Sequence, residues 1–100
     1  MEFVIVSGVS GAGKTRAMHA LEDIDFYCVD NIPGELIPIF YNLFEKMSSD
    51  SMKQMAVVVD IRANKNFNAL LNSLNKLKSE GKNYKVLFLD AKDDILVKRF

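Results

Sequence analysis

Eight consecutive residues, Gly8-Val9-Ser10-Gly11-Ala12-Gly13-Lys14-Thr15, satisfy every fixed position of the pattern G-x-x-x-x-G-K-[ST]. Each residue type has a task at that spacing. Glycines let successive backbone N–H groups turn inward around an anion, and a helix that begins after them adds the partial positive charge of its N-terminus. The Lys14 ammonium can reach the β- and γ-phosphates of a nucleotide, and the Thr15 hydroxyl can join the oxygen shell of Mg²⁺. All eight positions are therefore expected to bind the polyphosphate of a nucleotide with Mg²⁺, with Lys14 serving the transferred phosphate. A glycine-rich turn between strand and helix explains the glycines but does not ask for Lys followed by Thr. With Gly at roughly 7% of residues, a chance match in a chain this short is on the order of a few per thousand, so coincidence is set aside.

Such a site needs a carboxylate at a strand end to fix Mg²⁺ opposite the phosphate oxygens. Asp90 after Val86-Leu87-Phe88-Leu89 and Asp60 after Val57-Val58-Val59 both fit. Asp90 is taken as the catalytic and metal-holding candidate beside Lys14 and Thr15, and Asp60 competes with it. A strand-ending Asp also serves plain turns. Asp30 follows another apolar run and can orient a second substrate or act as a base, or form an Asx turn leading into Pro33. Arg62 can pair with phosphate or sit solvated. His19 falls far along its helix from the phosphate end, which favours a surface role, and Cys28 reads as a small buried hydrophobe. Asn64-Lys65-Asn66-Phe67 begins like a guanine-reading Asn-Lys-x-Asp sequence but has Phe where the acid belongs.

Hydrophobic spacing supplies the elements that must hold these groups. Phe3-Val4-Ile5-Val6, Phe26-Tyr27-Cys28-Val29, Met55 to Asp60 and Val86 to Leu89 are continuous apolar runs rich in β-branched or aromatic residues, the pattern of buried strands. Helical spacing marks Lys14 to Glu22, Leu36 to Met47, and the stripe Phe67, Leu70, Leu71, Leu74 and Leu77, which Gly81 ends. Asp93 is expected to cap a fourth helix through Ile95, Leu96 and Phe100, with Lys98 and Arg99 on its exposed side. Strands alternating with helices imply an α/β fold: a parallel sheet with helices on both faces, a three-layer sandwich of the P-loop NTPase-like (kinase-like) kind. Stopping within a helical pattern, residues 1–100 are expected to be the N-terminal part of a P-loop nucleotide-binding domain.

Composition narrows the partners. One hundred residues hold a single domain at most, and 49% hydrophobic against 26% charged is enough apolar surface to fold. Thirteen basic residues balance thirteen acidic ones, so a polyanionic partner or an anionic membrane would have to be met by local patches. No apolar run approaches the roughly 20 residues that span a bilayer, no signal peptide is evident, and a single cysteine cannot form an internal disulfide. A cytoplasmic protein is expected.

The order of strand, phosphate loop, Ala20-Leu21-Glu22-Asp23 and Phe26-Tyr27-Cys28-Val29-Asp30-Asn31-Ile32-Pro33 resembles the bacterial RapZ (YvcJ-like) nucleotide-binding family. Asp60-Ile61-Arg62-Ala63 is similar to that family's Asp-hydrophobic-Arg element, which is associated there with guanine nucleotide, and Leu87 to Ala91 resembles its next strand end. The likeness covers the whole chain. It implies ATP and GTP binding with slow hydrolysis, cofactor contacts at Asp60, Ile61, Arg62 and Ala63, and in some members an adapter role that brings a small regulatory RNA to a ribonuclease. Ala63 departs from the Gly or Asn of the family's pattern. Family members are nearly three times this length, with RNA binding largely in the other part, and an oligomer of identical chains is a further partner to test. The rival expectation is a small-molecule kinase that transfers a nucleotide γ-phosphate to an acceptor held near Asp30.

Overall fold

The computed structural model describes residues 2–8, 13–47, 54–61, 64–89 and 95–99, with 60, 64–66 and 95–99 described in backbone only. The elements run β1 (Glu2–Gly8), α1 (Lys14–Asp23), β2 (Tyr27–Val29), a 3₁₀ turn (Gly34–Leu36), α2 (Ile37–Met47), β3 (Gln54–Asp60), α3 (Asn64–Ser79), β4 (Lys85–Leu89) and β5 (Ile95–Arg99). Among the described residues the five strands form one sheet in the order β2-β3-β1-β4-β5. The first four are parallel, as the apolar runs require, and β5 is antiparallel to β4.

β5 corrects the sequence-based expectation of a helix from Asp93 to Phe100. Ile95, Leu96 and Val97 form a continuous apolar run with two β-branched members, and pairing Leu89 with Ile95 through Lys85 with Arg99 satisfies the open edge of β4. Lys98 and Arg99 thus lie on a strand. Asp93 lies outside the described residues.

The alternation of each strand sorts its side chains into two cores. Phe3, Ile5, Met55, Val57, Val59 and Val86 face α2 and α3, joining Ile37, Tyr41, Phe44, Leu70, Leu74 and Leu77. Val4, Val6, Ala56, Val58 and Leu89 face the other way, where Ala17, Met18 and Leu21 of α1 cover them. The chain moves from β1 outward to β2 with its helix on one face, then reverses through β3 to β4 with both helices on the opposite face. Right-handed crossovers dictate that change of side. It makes the gap between β1 and β3 a topological switch point, where open α/β sheets leave a crevice beyond the carboxyl ends of the strands.

One helix end and one edge strand show how local sequence and position set this frame. Gly81 takes φ 69°, and the N–H of Gly81 and of Lys82 donate to the carbonyls of Lys78 and Leu77, closing α3 with a left-handed residue in the manner its sequence predicts. The edge position of β2 leaves Tyr27 57% exposed, so that strand is apolar without being buried on both faces.

Candidate functional site

Gly8 ends β1 at the switch point. In register it faces Asp60 of β3 on one side and Leu89 of β4 on the other, so two of the three carboxylates singled out from the sequence adjoin this crest in the chain. No side chain fits at Gly8: a Cβ there would stand 2.7 Å from the Leu89 carbonyl oxygen. Glycine is thus required by the close approach of β4.

The far end of the motif folds back to the same place. Gly13 adopts φ 87° and ψ 20°, a left-handed N-cap that glycine takes without strain, and α1 begins at Lys14 with Ala17 N–H donating to Gly13 O at 3.1 Å. Among the described residues no side chain caps this helix, and its first turn holds no acidic residue. No carboxylate in that turn competes with an anion for the partial positive charge of the helix N-terminus. Lys14 Nζ donates to Gly8 O at 3.2 Å, and Ile61 N–H donates to the same oxygen at 3.1 Å. Lys14 is half-buried and Thr15 exposed.

Gly8, Gly13, Lys14, Thr15 and the backbone of Asp60 and Ile61 are therefore gathered at one crest. Val9, Ser10, Gly11, Ala12, Arg62, Ala63 and Asp90 lie outside the described residues. Asp30 is exposed just past β2, where Ile32 N–H donates to Val58 O, so it follows a strand that ends short of the Gly8 and Asp60 pair. His19 is exposed on α1. Cys28 is half-buried with its thiol directed to the carbonyls of Met18 and Phe26; burial, and after it the nearby Glu22, push its pKa up, which makes it a poor nucleophile at neutral pH.

Two features escaped the sequence reading. Ser7 is fully buried directly before Gly8, and among the described residues its Oγ has no hydrogen-bond partner. A polar residue closing an otherwise apolar run was the available signal. Gly34 is the other: a Cβ there would come within 3.0 Å of Leu70 N, and Ser73 Oγ donates to Gly34 O at 2.6 Å, clasping the connection after β2 to α3. An open groove of about 790 Å³ lies beside this clasp, between Glu35, Ile39, Asn68, Asn72 and Lys76, and none of the described motif residues Gly8, Gly13, Lys14 and Thr15 lines it. The groove thus lies apart from the described residues of the Gly8–Thr15 motif. Among the described residues no helix is long and apolar enough to cross a membrane.

Comparison with known proteins agrees in kind with the motif. A family model described as the RapZ-like N-terminal domain matches residues 1–100. The chain is 52% identical over 100 residues to a nucleotide-binding protein of Clostridium botulinum strain Hall, covering all of this chain and 34% of that protein. A nucleotide-binding protein of Methylibium petroleiphilum is 50% identical over 99 residues, 99% of this chain and 32% of its own length. One from Clostridium kluyveri is 48% identical over 100 residues, with 34% of its length covered. The chain thus spans about a third of the length of the curated relatives it matches.

Proposed function

The chain belongs to the RapZ-like N-terminal domain family, and on that premise we propose that it binds nucleoside triphosphates, ATP and GTP, at the Gly8–Thr15 loop with Mg²⁺. One observation carries the reading: Lys14 Nζ reaches Gly8 O at 3.2 Å, so the two ends of the eight-residue motif meet at the switch point opposite Asp60. The α1 N-terminus and the Lys14 ammonium supply positive charge for a polyphosphate. Thr15, with the carboxylate of Asp60 or Asp90, provides hard oxygen ligands of the type Mg²⁺ prefers. The tight glycine fit at Gly8 suits a crest where backbone approaches a charged guest closely. Magnesium, when bound, neutralises charge on the phosphate oxygens.

The family membership supports slow hydrolysis in service of regulation over rapid turnover. The family premise supports, for the whole cytoplasmic protein, an adapter role toward a small regulatory RNA and a ribonuclease. Calorimetry with ATP and GTP tests the core of the proposal. Lys14→Ala is expected to weaken binding on the order of 100-fold, the loss of charge-assisted hydrogen bonds to phosphate, while the protein stays folded. Unchanged affinity would refute the assignment. Phosphate release without an acceptor fits a regulatory NTPase. Transfer to an added acceptor, abolished by Asp30→Asn, would point to the kinase, a reading that the exposure of Asp30 beside the strand ends keeps in play.

A further inference from the structure

Among the described residues seven large apolar side chains are exposed, and four of them gather at one edge of the sheet, a concentration that marks an interaction surface. Tyr27 is 57% exposed on β2, the terminal strand, and Ile39, Leu43 and Met47 are 54%, 44% and 45% exposed on α2. Register and ring packing bring the two sets to one level. Phe3, Met55 and Tyr27 form a row across β1, β3 and β2, and Phe44 of α2 lies against Phe3 with ring centroids 5.6 Å apart. Cys28 alternates to the α1 side, so Tyr27 is the outer end of that row on the α2 side. Along α2, Pro38 lines the groove toward α3, and Glu45 pairs with Lys82 just past the end of α3. Helical spacing puts Phe40, Leu43 and Met47 on the opposite flank, toward β2, with Ile39 on the crown.

A second copy of this chain matches both halves of this edge at once. A two-fold axis perpendicular to the sheet that sets β2 antiparallel to its copy keeps both α2 helices on one face, antiparallel, with their free flanks turned toward each other. The stripe is symmetric about Leu43. Leu43 meets its own copy, and Ile39, four residues before it, meets Met47, four residues after it. Tyr27-Cys28-Val29 holds neither charge nor Pro, and the stripe is uncharged, so no like charges meet at the centre. Three residues make a short edge, so strand pairing fixes register while the helix flanks supply most of the apolar contact. We propose that two copies join edge to edge across β2, running one sheet through both and packing the α2 stripe against itself. The two crests then point in opposite directions, each complete without the other copy.

The test uses the intact protein. Sedimentation over a range of concentrations reads self-association, and Leu43→Glu is expected to raise the dimer's dissociation constant on the order of tenfold or more, because a carboxylate then faces its own copy in an apolar contact. Phe67→Glu, at an exposed apolar site on α3, should leave that constant unchanged, and both variants should keep the wild-type circular dichroism. A second measurement reports the face itself: with every other cysteine replaced by serine, Cys28 included, a short bis-maleimide should join two copies through Leu43→Cys and fail to do so through Phe67→Cys. A wild type that stays monomeric throughout, an unmoved constant in Leu43→Glu, or equal cross-linking at the two positions would overturn the proposal. A Leu43→Cys thiol shielded within a monomer would assign the stripe to another part of the same chain, and one joined only to a different protein in cell extract would assign it to that protein. Either result overturns the second copy.

Discussion

The two ends of the parallel strands meet their polar groups in opposite ways. At the N-terminal end Tyr41 Oη donates to Asn83 O at 2.9 Å, Tyr84 Oη to Leu74 O at 3.3 Å, Lys82 pairs with Glu45 at 2.9 Å, and Lys85 pairs with Glu2 at 3.1 Å. Beside them the rings of Phe3, Tyr41 and Phe44 meet at 4.8 to 6.0 Å between centroids. At the C-terminal end a glycine stands in left-handed conformation, and among the described residues a helix begins without a side-chain cap and a buried hydroxyl lacks a partner. One end closes the molecule; the other is where we place the nucleotide. Stability and binding should accordingly separate by residue.

The largest effect should come from the closed end. Phe44 is 2% exposed against Phe3 and Tyr41, and Phe44→Ala is expected to cost about 3–5 kcal/mol in urea unfolding, through lost burial and the cavity left behind. The molecules that remain folded should bind nucleotide as wild type does. A fall in their affinity would break the division between the two ends. Gly8→Ala probes the place where packing and binding coincide, since its Cβ would meet the Leu89 carbonyl at 2.7 Å. It should cost about 1–3 kcal/mol of stability and also weaken nucleotide binding. Loss of stability with affinity intact would mean that the crest tolerates a shift of β4 and would loosen the link between strand spacing and the loop.

The same contrast explains what the sequence disclosed. Strands and helices that bury a full face announce themselves, so β1, β3 and the stripe Leu70, Leu74 and Leu77 appear in the structure as their periodicity predicts. The motif was legible because its chemistry lies in residue types at fixed spacing. β5 was misread because an Asp that can cap a helix outweighed a short apolar run whose fate depends on a neighbour, the free edge of β4. The half-exposed face of β2 was likewise invisible, because an edge position is set by topology. Ser7 and Gly34 depend on contacts with Val59, Phe88 and Leu70, residues remote in sequence, and no local pattern encodes such contacts.

Tyr41→Phe should give the smallest effect and the finest test of the closed end. The substitution keeps the ring against Phe3 and Phe44 and removes only the donor to Asn83 O. Asn83 is exposed, so its carbonyl can turn to water, and the loss should be about 0.5–1.5 kcal/mol near neutral pH. Burial pushes the Tyr41 phenol above its ordinary value near 10, so above that pH the unfolded chain ionises while the native state holds its proton. Stability from this group is complete below about pH 10 and falls as the pH rises further, a loss that Phe cannot suffer. The gap between wild type and variant in urea unfolding should therefore narrow from neutral to alkaline pH, with nucleotide affinity at neutral pH unchanged. A gap that stays constant would show that the phenol is not held neutral by the fold, and the closed end would then be held by its ring packing alone.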